Sequence, residues 1–403
     1  MRGDIRVRLR ALLQAGGGAL ALQAGPALAE EQFFFDLSAG TNASRNPFLQ
    51  SGDNTAAAGA FIQVDPQLQI LDEVSEVKLY GTFRYNHYTR SSGDDVSGQG
   101  GLSVERRLSP LTLLRGRASA RVAQSSALDF TVAPGASPTD ATAPVIFPDV
   151  TFAGTRSRTT VLGAGVGLDH DLNERERLVA DLAVTTTQFS RAGQNDYRFV
   201  TGEVDYRRTI SVRTSVFGAL RVGYSDFLGS NLDDGVIVAP TVGISTQLNP
   251  RLSLEVGLGT SLSRVNELGG RKTTRLVASA RILLCEAIVA SKGCFELSRG
   301  SQPTALSGLT TVTTANFSYN IPIGQRDQLA ASANYTATDE PSTRRAGQST
   351  DLLTASATYN RTFNRRLSAY VTPSYARIFD SLLSPRSDIA VRVGVRYRIG
   401  SEG

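Results

Sequence analysis

The feature that most limits what this chain can fold into is a strict alternation of apolar and polar side chains, repeated segment after segment. Near the C-terminus Ile389, Val391, Val393, Val395, Tyr397 and Ile399 fall on one face, and Arg392, Arg396 and Arg398 on the other. Ile210, Val212, Val216, Leu220, Val222 and Tyr224 are opposed by Arg213, Ser215 and Arg221. The series Leu252 to Leu262 opposes Ser253, Glu255 and Ser261, Leu276 to Leu284 opposes Arg275, Ser279 and Arg281, and Val77 to Tyr85 opposes Lys78, Arg84 and Asn86. Successive side chains of a strand point to opposite faces, so each run reads as a strand with one apolar side. One such run is ambiguous; many in succession are not.

An apolar face must be covered by something. No downstream window offers the roughly 20 apolar residues of a membrane helix, and no helical segment is available to pack on the strands. The strands are also long, often ten residues or more, against a mode of about 5–6 in soluble sheets. A sandwich or solenoid also alternates, but it would leave these faces bare. Lipid is the remaining cover, and lipid tolerates only a closed sheet. The expected fold is therefore an all-β, antiparallel, up-and-down transmembrane barrel. Strand by strand the sequence gives about 18, with 16 the nearest competitor, because the hairpins near residues 31–70 and 294–323 are poorly marked. Tight turns at Leu108–Leu111, Asn173–Glu176, Asn249–Leu252, Gly324–Asp327 and Asn364–Arg366 alternate with longer links such as Ser91–Asp95, Leu228–Gly235 and Glu340–Gln348. Short turns on one rim and long loops on the other is the asymmetry of outer-membrane barrels.

The first residues read as a secretory signal. Arg2, Arg6, Arg8 and Arg10 precede a short apolar stretch broken by Gln14, Gln23 and three glycines, and Ala27-Leu28-Ala29 offers a small-residue cleavage site. Cleavage after Ala29 would leave residues 30–403 as one barrel domain. That segment holds four arginines and Asp4, so three of the five formal positive charges leave with it, and the mature chain stands near +2. A nucleic-acid partner is not implied. Cys285 and Cys294, the only cysteines, bracket a short turn, and in an exported chain such a pair reads as a disulfide stapling one hairpin.

Chemistry is scarce. The chain has two histidines, His87 and His170, far apart and without a matching nucleophile or acid pattern. There is no phosphate loop and no zinc spacing. No enzyme, metal or cofactor is expected. What remains is the lumen. Alternation points Lys78, Arg84, Arg107, Arg115, Arg117, Arg121, Arg207, Arg213, Arg221, Arg275, Arg281, Arg392, Arg396 and Arg398 inward, with Glu105, Asp181, Glu203, Asp205 and Glu255 as the acids on the same faces. Fixed cations in a water-filled channel raise the local anion concentration, although the same arginines could simply pair with acids across strands. The longest link, Gln124 to Thr155, is the third long loop and carries Asp129, Asp140 and Asp149 without Lys or Arg. By analogy with general porins it would fold inward and set acid against a basic wall; a loop that stays outside is the alternative.

The last strand, Arg392-Val393-Gly394-Val395-Arg396-Tyr397-Arg398-Ile399, resembles the signal read by the outer-membrane assembly machinery: Arg392, Gly394 two later, then Tyr397 and Ile399. It departs from the common form because Gly400-Ser401-Glu402-Gly403 follows in place of a terminal Phe. The mature chain also resembles β-barrel porins linked to exopolysaccharide production in Gram-negative bacteria, through Ser44-Arg45-Asn46-Pro47-Phe48 after a first strand and through its closing short-turn hairpins. The resemblance implies an outer-membrane pore, surrounded by lipid, that moves or supports surface polysaccharide; the inward arginines point to an acidic polysaccharide, and without periplasmic helical repeats export would require a separate lipoprotein. A diffusion porin with mild anion preference, and a plugged structural or receptor barrel, stay open beside it.

Overall fold

The computed structural model describes residues 30–51, 55–89, 93–124, 126–127, 150, 153–154, 156–191, 194–228, 234–267, 271–288, 291–305, 308–339, 350–380 and 385–401. The expected signal peptide and Asp129, Asp140 and Asp149 lie outside them. The first nine strands are β1 (Glu30–Ser44), β2 (Ala57–Leu71), β3 (Ser75–Tyr88), β4 (Gly93–Ser109), β5 (Thr112–Ala123), β6 (Thr159–Asn173), β7 (Glu176–Phe189), β8 (Tyr197–Ser211) and β9 (Thr214–Phe227). The second nine are β10 (Gly235–Asn249), β11 (Leu252–Glu267), β12 (Arg271–Ile288), β13 (Ser291–Thr304), β14 (Gly308–Pro322), β15 (Asp327–Asp339), β16 (Thr350–Thr362), β17 (Leu367–Asp380) and β18 (Arg386–Ser401).

Every strand pairs antiparallel with its sequence neighbours, and β1 pairs with both β2 and β18. The sheet therefore closes on itself as an 18-stranded barrel of the outer-membrane type. Closure leaves no terminal strand with an open edge, which is the condition lipid imposes. Both hairpins that the sequence marked poorly are present: β1–β2 runs from Glu30↔Leu71 to Ser44↔Ala57, and β13–β14 from Lys292↔Asn320 to Thr304↔Gly308. The long connections gather on one rim and the short turns on the other.

The barrel is inside out relative to a soluble protein. Large apolar side chains such as Leu162, Leu220, Leu258 and Ile389 stand exposed on its outer surface, and Val242 is 69% exposed. The buried side chains include Ser38, Asn42, Asn86, Asp95, Ser261, Thr314 and Thr354, all on the inner face. Water on the outside would charge roughly 25 cal/mol for each Å² of that apolar belt, whereas acyl chains cover it at no such cost. The outer surface is that of a membrane-spanning barrel.

Cys285 and Cys294 face each other across β12 and β13 and form a disulfide beside the short turn joining them. One step above the middle of the barrel the same two strands part company: their pairing ends at Ala280↔Arg299.

Candidate functional site

The candidate site is the lumen, whose wall is set by register. Alternation places Asp36, Ser38, Asn42 and Ser44 of β1 on the same face as Arg398, Arg396, Arg392 and Ala390 of β18. The same register carries Lys78 and Arg84 of β3, Arg115, Arg117 and Arg121 of β5, Arg221 of β9, and Arg275 and Arg281 of β12 to the inner face. Arg213 is not on the wall. It occupies the turn between β8 and β9, where its amide donates to Ser211 Oγ at 3.3 Å and its side chain is exposed at the short-turn rim. Counting alternation through a two-residue turn carried it inward by mistake.

Acids are more numerous on this wall than alternation alone had placed there. Asp36, Asp65, Glu76, Asp95, Asp169 and Glu296 also face in. Much of the basic set is thereby neutralised. Lys78 pairs with Glu76 at 2.9 Å, Arg207 with Glu255 at 3.1 Å, Arg281 with Glu296 at 3.1 Å and Arg398 with Asp36 at 2.8 Å. Arg84 approaches Asp95 at 3.9 Å, Arg115 approaches Asp181 at 3.6 Å, and Arg177 bonds Asp169. Arg392 and Arg396 differ. Among the described residues neither has an ion pair; Arg392 lies 4.7 Å over the Phe61 ring and Arg396 5.5 Å over the Tyr370 ring. The two rings lie 6.5 Å apart, tilted to each other, where Gly40 and Gly394 oppose each other. A Cβ on Gly394 would sit 2.8 Å from the Tyr370 ring, so only glycine leaves the space the rings use. On the far arc β8 offers Glu203 and Asp205. The described ion pairs thus leave Arg392 and Arg396 on β18 without an acid partner, while β8 carries Glu203 and Asp205 beside Arg207.

Three inward-folded segments narrow the lumen at the long-loop end. The first follows β1. Asn46 closes a tight turn, with Nδ2 donating to Gln50 O at 2.8 Å and Oδ1 accepting from Gln50 N at 2.9 Å. Asp388 of β18 anchors it by accepting from Ser44 Oγ at 2.7 Å and Asn46 N at 2.8 Å. The turn presses Leu49, which is fully buried, against Leu352, Ala376 and Ile378 of the inner wall. Phe48 packs edge-on to Tyr88, with the Arg156 guanidinium 4.2 Å from its ring centroid.

The second segment is the two ends of the longest link. Ala127, Val150 and Ala153 join the Leu49 cluster, and Ala127 N donates to Pro47 O at 2.8 Å. Its ends therefore fold inward through apolar contacts. The expected acid-against-base constriction concerns residues outside those described.

The third segment is the β13–β14 hairpin. Beyond Arg299 both its faces are buried: Ser301, Thr304, Ala305, Leu309 and Thr310 are each no more than 3% exposed. Nothing in the alternation distinguishes these residues from a strand in the wall. The available signals were Gly300 and Pro303, since glycine in a strand marks a bend and proline confines a strand to an edge.

No family model matches the chain, and no curated protein is similar to it in sequence. Solved structures do share its architecture at low identity. The outer membrane channel DcaP of Acinetobacter baumannii matches with a TM-score of 0.43 and 11% identity over 92% of this chain and 97% of that one. Pseudomonas aeruginosa OpdK, solved with vanillate, gives 0.44 and 11% over 92% and 99%. OccK2 of the same species, solved with glucuronate, gives 0.45 and 10% over 92% and 98%. The likeness is one of fold.

Proposed function

We propose that this protein is a diffusion channel of the Gram-negative outer membrane that favours small anions. The observation that carries the reading is the pair Arg392 and Arg396, held over the Phe61 and Tyr370 rings without an ion pair among the described residues. A guanidinium held over a ring face keeps its charge and its planar donors while losing little freedom on binding. Facing Glu203 and Asp205 across the lumen, such a wall draws carboxylates and phosphates along one side of the path.

Export of an acidic polysaccharide would use the same arginines. Three inward-folded segments at one end favour small solutes over a polymer, so diffusion is the preferred reading. For biogenesis, β18 is the strand offered to the assembly machinery, with Arg392 and Gly394 inward and Tyr397 and Ile399 on the lipid side.

The test is planar-bilayer conductance of the refolded mature chain under a KCl gradient, titrated with acidic and neutral oligosaccharides. A reversal potential of the sign expected for chloride preference supports the proposal. Cation preference sinks it. Block by acidic but not neutral oligosaccharides at low concentration would transfer support to export.

A further inference from the structure

The break between β12 and β13 leaves the wall zipped only in its lower half. Pairing runs from Ile288↔Ser291 to Ala280↔Arg299 and ends. Above it β12 continues to Arg271, bonded to β11 as far as Glu267↔Arg271. β13 continues to Thr304, bonded to β14 as far as Thr304↔Gly308. Among the described residues the β12–β13 ladder therefore does not continue above this point. In a membrane the N–H and C=O groups of a sheet edge must be met by other parts of the protein, since no water reaches them. Something must hold the strands apart.

What holds them is a latch inside the barrel. Ser301 and Leu309 have the parity of outward-facing residues, continuing the series of Leu297 and Phe317. Both are buried, and against the inner surface of the barrel's own wall. Ser261 Oγ of β11 donates to Ser301 Oγ at 2.9 Å, and Arg221 Nη2 of β9 reaches Ser301 O at 3.5 Å. Asn195, in the loop before β8, donates through both N and Nδ2 to Ala305 O, at 3.0 and 2.8 Å. Leu309 fills the space beside Gly235 of β10, where a Cβ would stand 2.5 Å from its Cδ1. The sheet overlaps itself, with Ser301, Ala305 and Leu309 lying inside the wall at β8 to β11. At the point of departure Gly300 faces open space.

We propose that this hairpin is the gate of the channel. Tucked inside the wall at β8 to β11 it is closed. It opens when Gly300 to Thr304 swing back and extend the existing register onto β12, pairing Ser279↔Gly300, Ala278↔Ser301, Val277↔Gln302, Leu276↔Pro303 and Arg275↔Thr304. The two positions exchange one set of bonds for another. Zipping restores ladder bonds but frees the latch donors on Ser261, Arg221 and Asn195, and Pro303 has no N–H to give β12. Interfaces of this kind are bistable, and a small bias moves them. The gate rests on the channel reading for its effect on current, whereas the position of the hairpin can be read without any current.

Two cysteine pairs separate the states. Ser261→Cys with Ser301→Cys staples the tucked hairpin, and Ala278→Cys with Ser301→Cys staples the zipped one. Wild type, with and without reductant, accounts for the Cys285–Cys294 bond, and heat-modifiable gel migration checks that each barrel is folded. Both pairs are expected to cross-link under mild oxidant, the first within the dead time and the second more slowly, at the rate of hairpin release. The tucked staple should lower mean current severalfold relative to the zipped staple, and reductant should return both to the wild-type value. Complete cross-linking of 261/301 with none at 278/301 would overturn the gate and leave a fixed plug. Cross-linking at both positions with equal currents would show that the hairpin moves but does not control the path, which also overturns it. Absence of current in every folded barrel, with both cross-links forming, would remove the channel reading instead.

Discussion

Arg392, 4.7 Å above Phe61, and Arg398, 2.8 Å from Asp36, sit on the same strand and the same face, yet they do different work. Asp36 is only 5% exposed, so its carboxylate depends on the Arg398 guanidinium to offset desolvation. Arg398→Gln is therefore expected to lower the unfolding midpoint, read by heat-modifiable migration, more than Arg392→Gln does. Selectivity should respond in the opposite order. Replacing Arg392 and Arg396 together by Gln should cut the anion-to-cation permeability ratio roughly twofold or more, while Arg213→Gln, at an exposed turn, should leave it unchanged. On the outer surface Val242→Arg is expected to cost about 2–4 kcal/mol of folding stability in bilayers, the toll of a cation at the lipid midplane. Equal stability of that variant and wild type, measured by urea titration in liposomes, would mean that β10 does not face lipid.

The elements differ in what keeps them in place. The β12–β13 hairpin is fixed at its lower end by the Cys285–Cys294 disulfide and released at its upper end after Arg299. Closing a loop of this size restrains the unfolded chain by up to about 3 kcal/mol in the chain-entropy account. Cys285→Ser with Cys294→Ser should lower stability by that order and leave open-state conductance unaltered, because the bond lies at the short-turn rim. The segment after β1 depends instead on Asp388, whose carboxylate accepts from Ser44 and Asn46. Asp388→Ala removes the acceptor and strands two donors, at about 1–3 kcal/mol. Leu49 should then lose its seat against Leu352 and Ile378, and the variant is expected to show larger and noisier current than wild type.

At the scale of the whole molecule the inner wall is nearly balanced in charge, and its polarity lies across the lumen. Arg392 and Arg396 stand on β18 without an acid partner among the described residues, and Glu203 and Asp205 stand on β8. A field of this kind acts over a distance that salt sets. The Debye length falls from about 10 Å at 0.1 M to about 3 Å at 1 M, so anion preference should be clear at the lower concentration and nearly lost at the higher. Reversal potentials at fixed gradient ratio and rising ionic strength measure this directly. Selectivity independent of salt would point to contact binding at a few side chains in place of a long-range field.

Strand count, order, closure and the two faces of the wall were legible in the sequence, because a strand in a membrane barrel meets lipid on one side and water on the other. That contrast is written into every second residue, and the register of β18 against β1 and β17 only joins what alternation had already sorted. Arg213 was misplaced because a turn has no faces. The ion pairs were not legible: Arg207 and Glu255 sit on strands three apart in the wall, and only closure and tilt bring them within 3.1 Å. The inward-folded segments were not legible either. Leu49 and Leu309 carry the same side chain as any lipid-facing leucine, and alternation cannot tell lipid from a neighbouring segment as the apolar cover. The sequence by itself determined a closed barrel with a charged interior. Tertiary structure alone decided which charges are spent on one another and which segments turn back into the lumen, because both depend on distances between residues far apart in the chain.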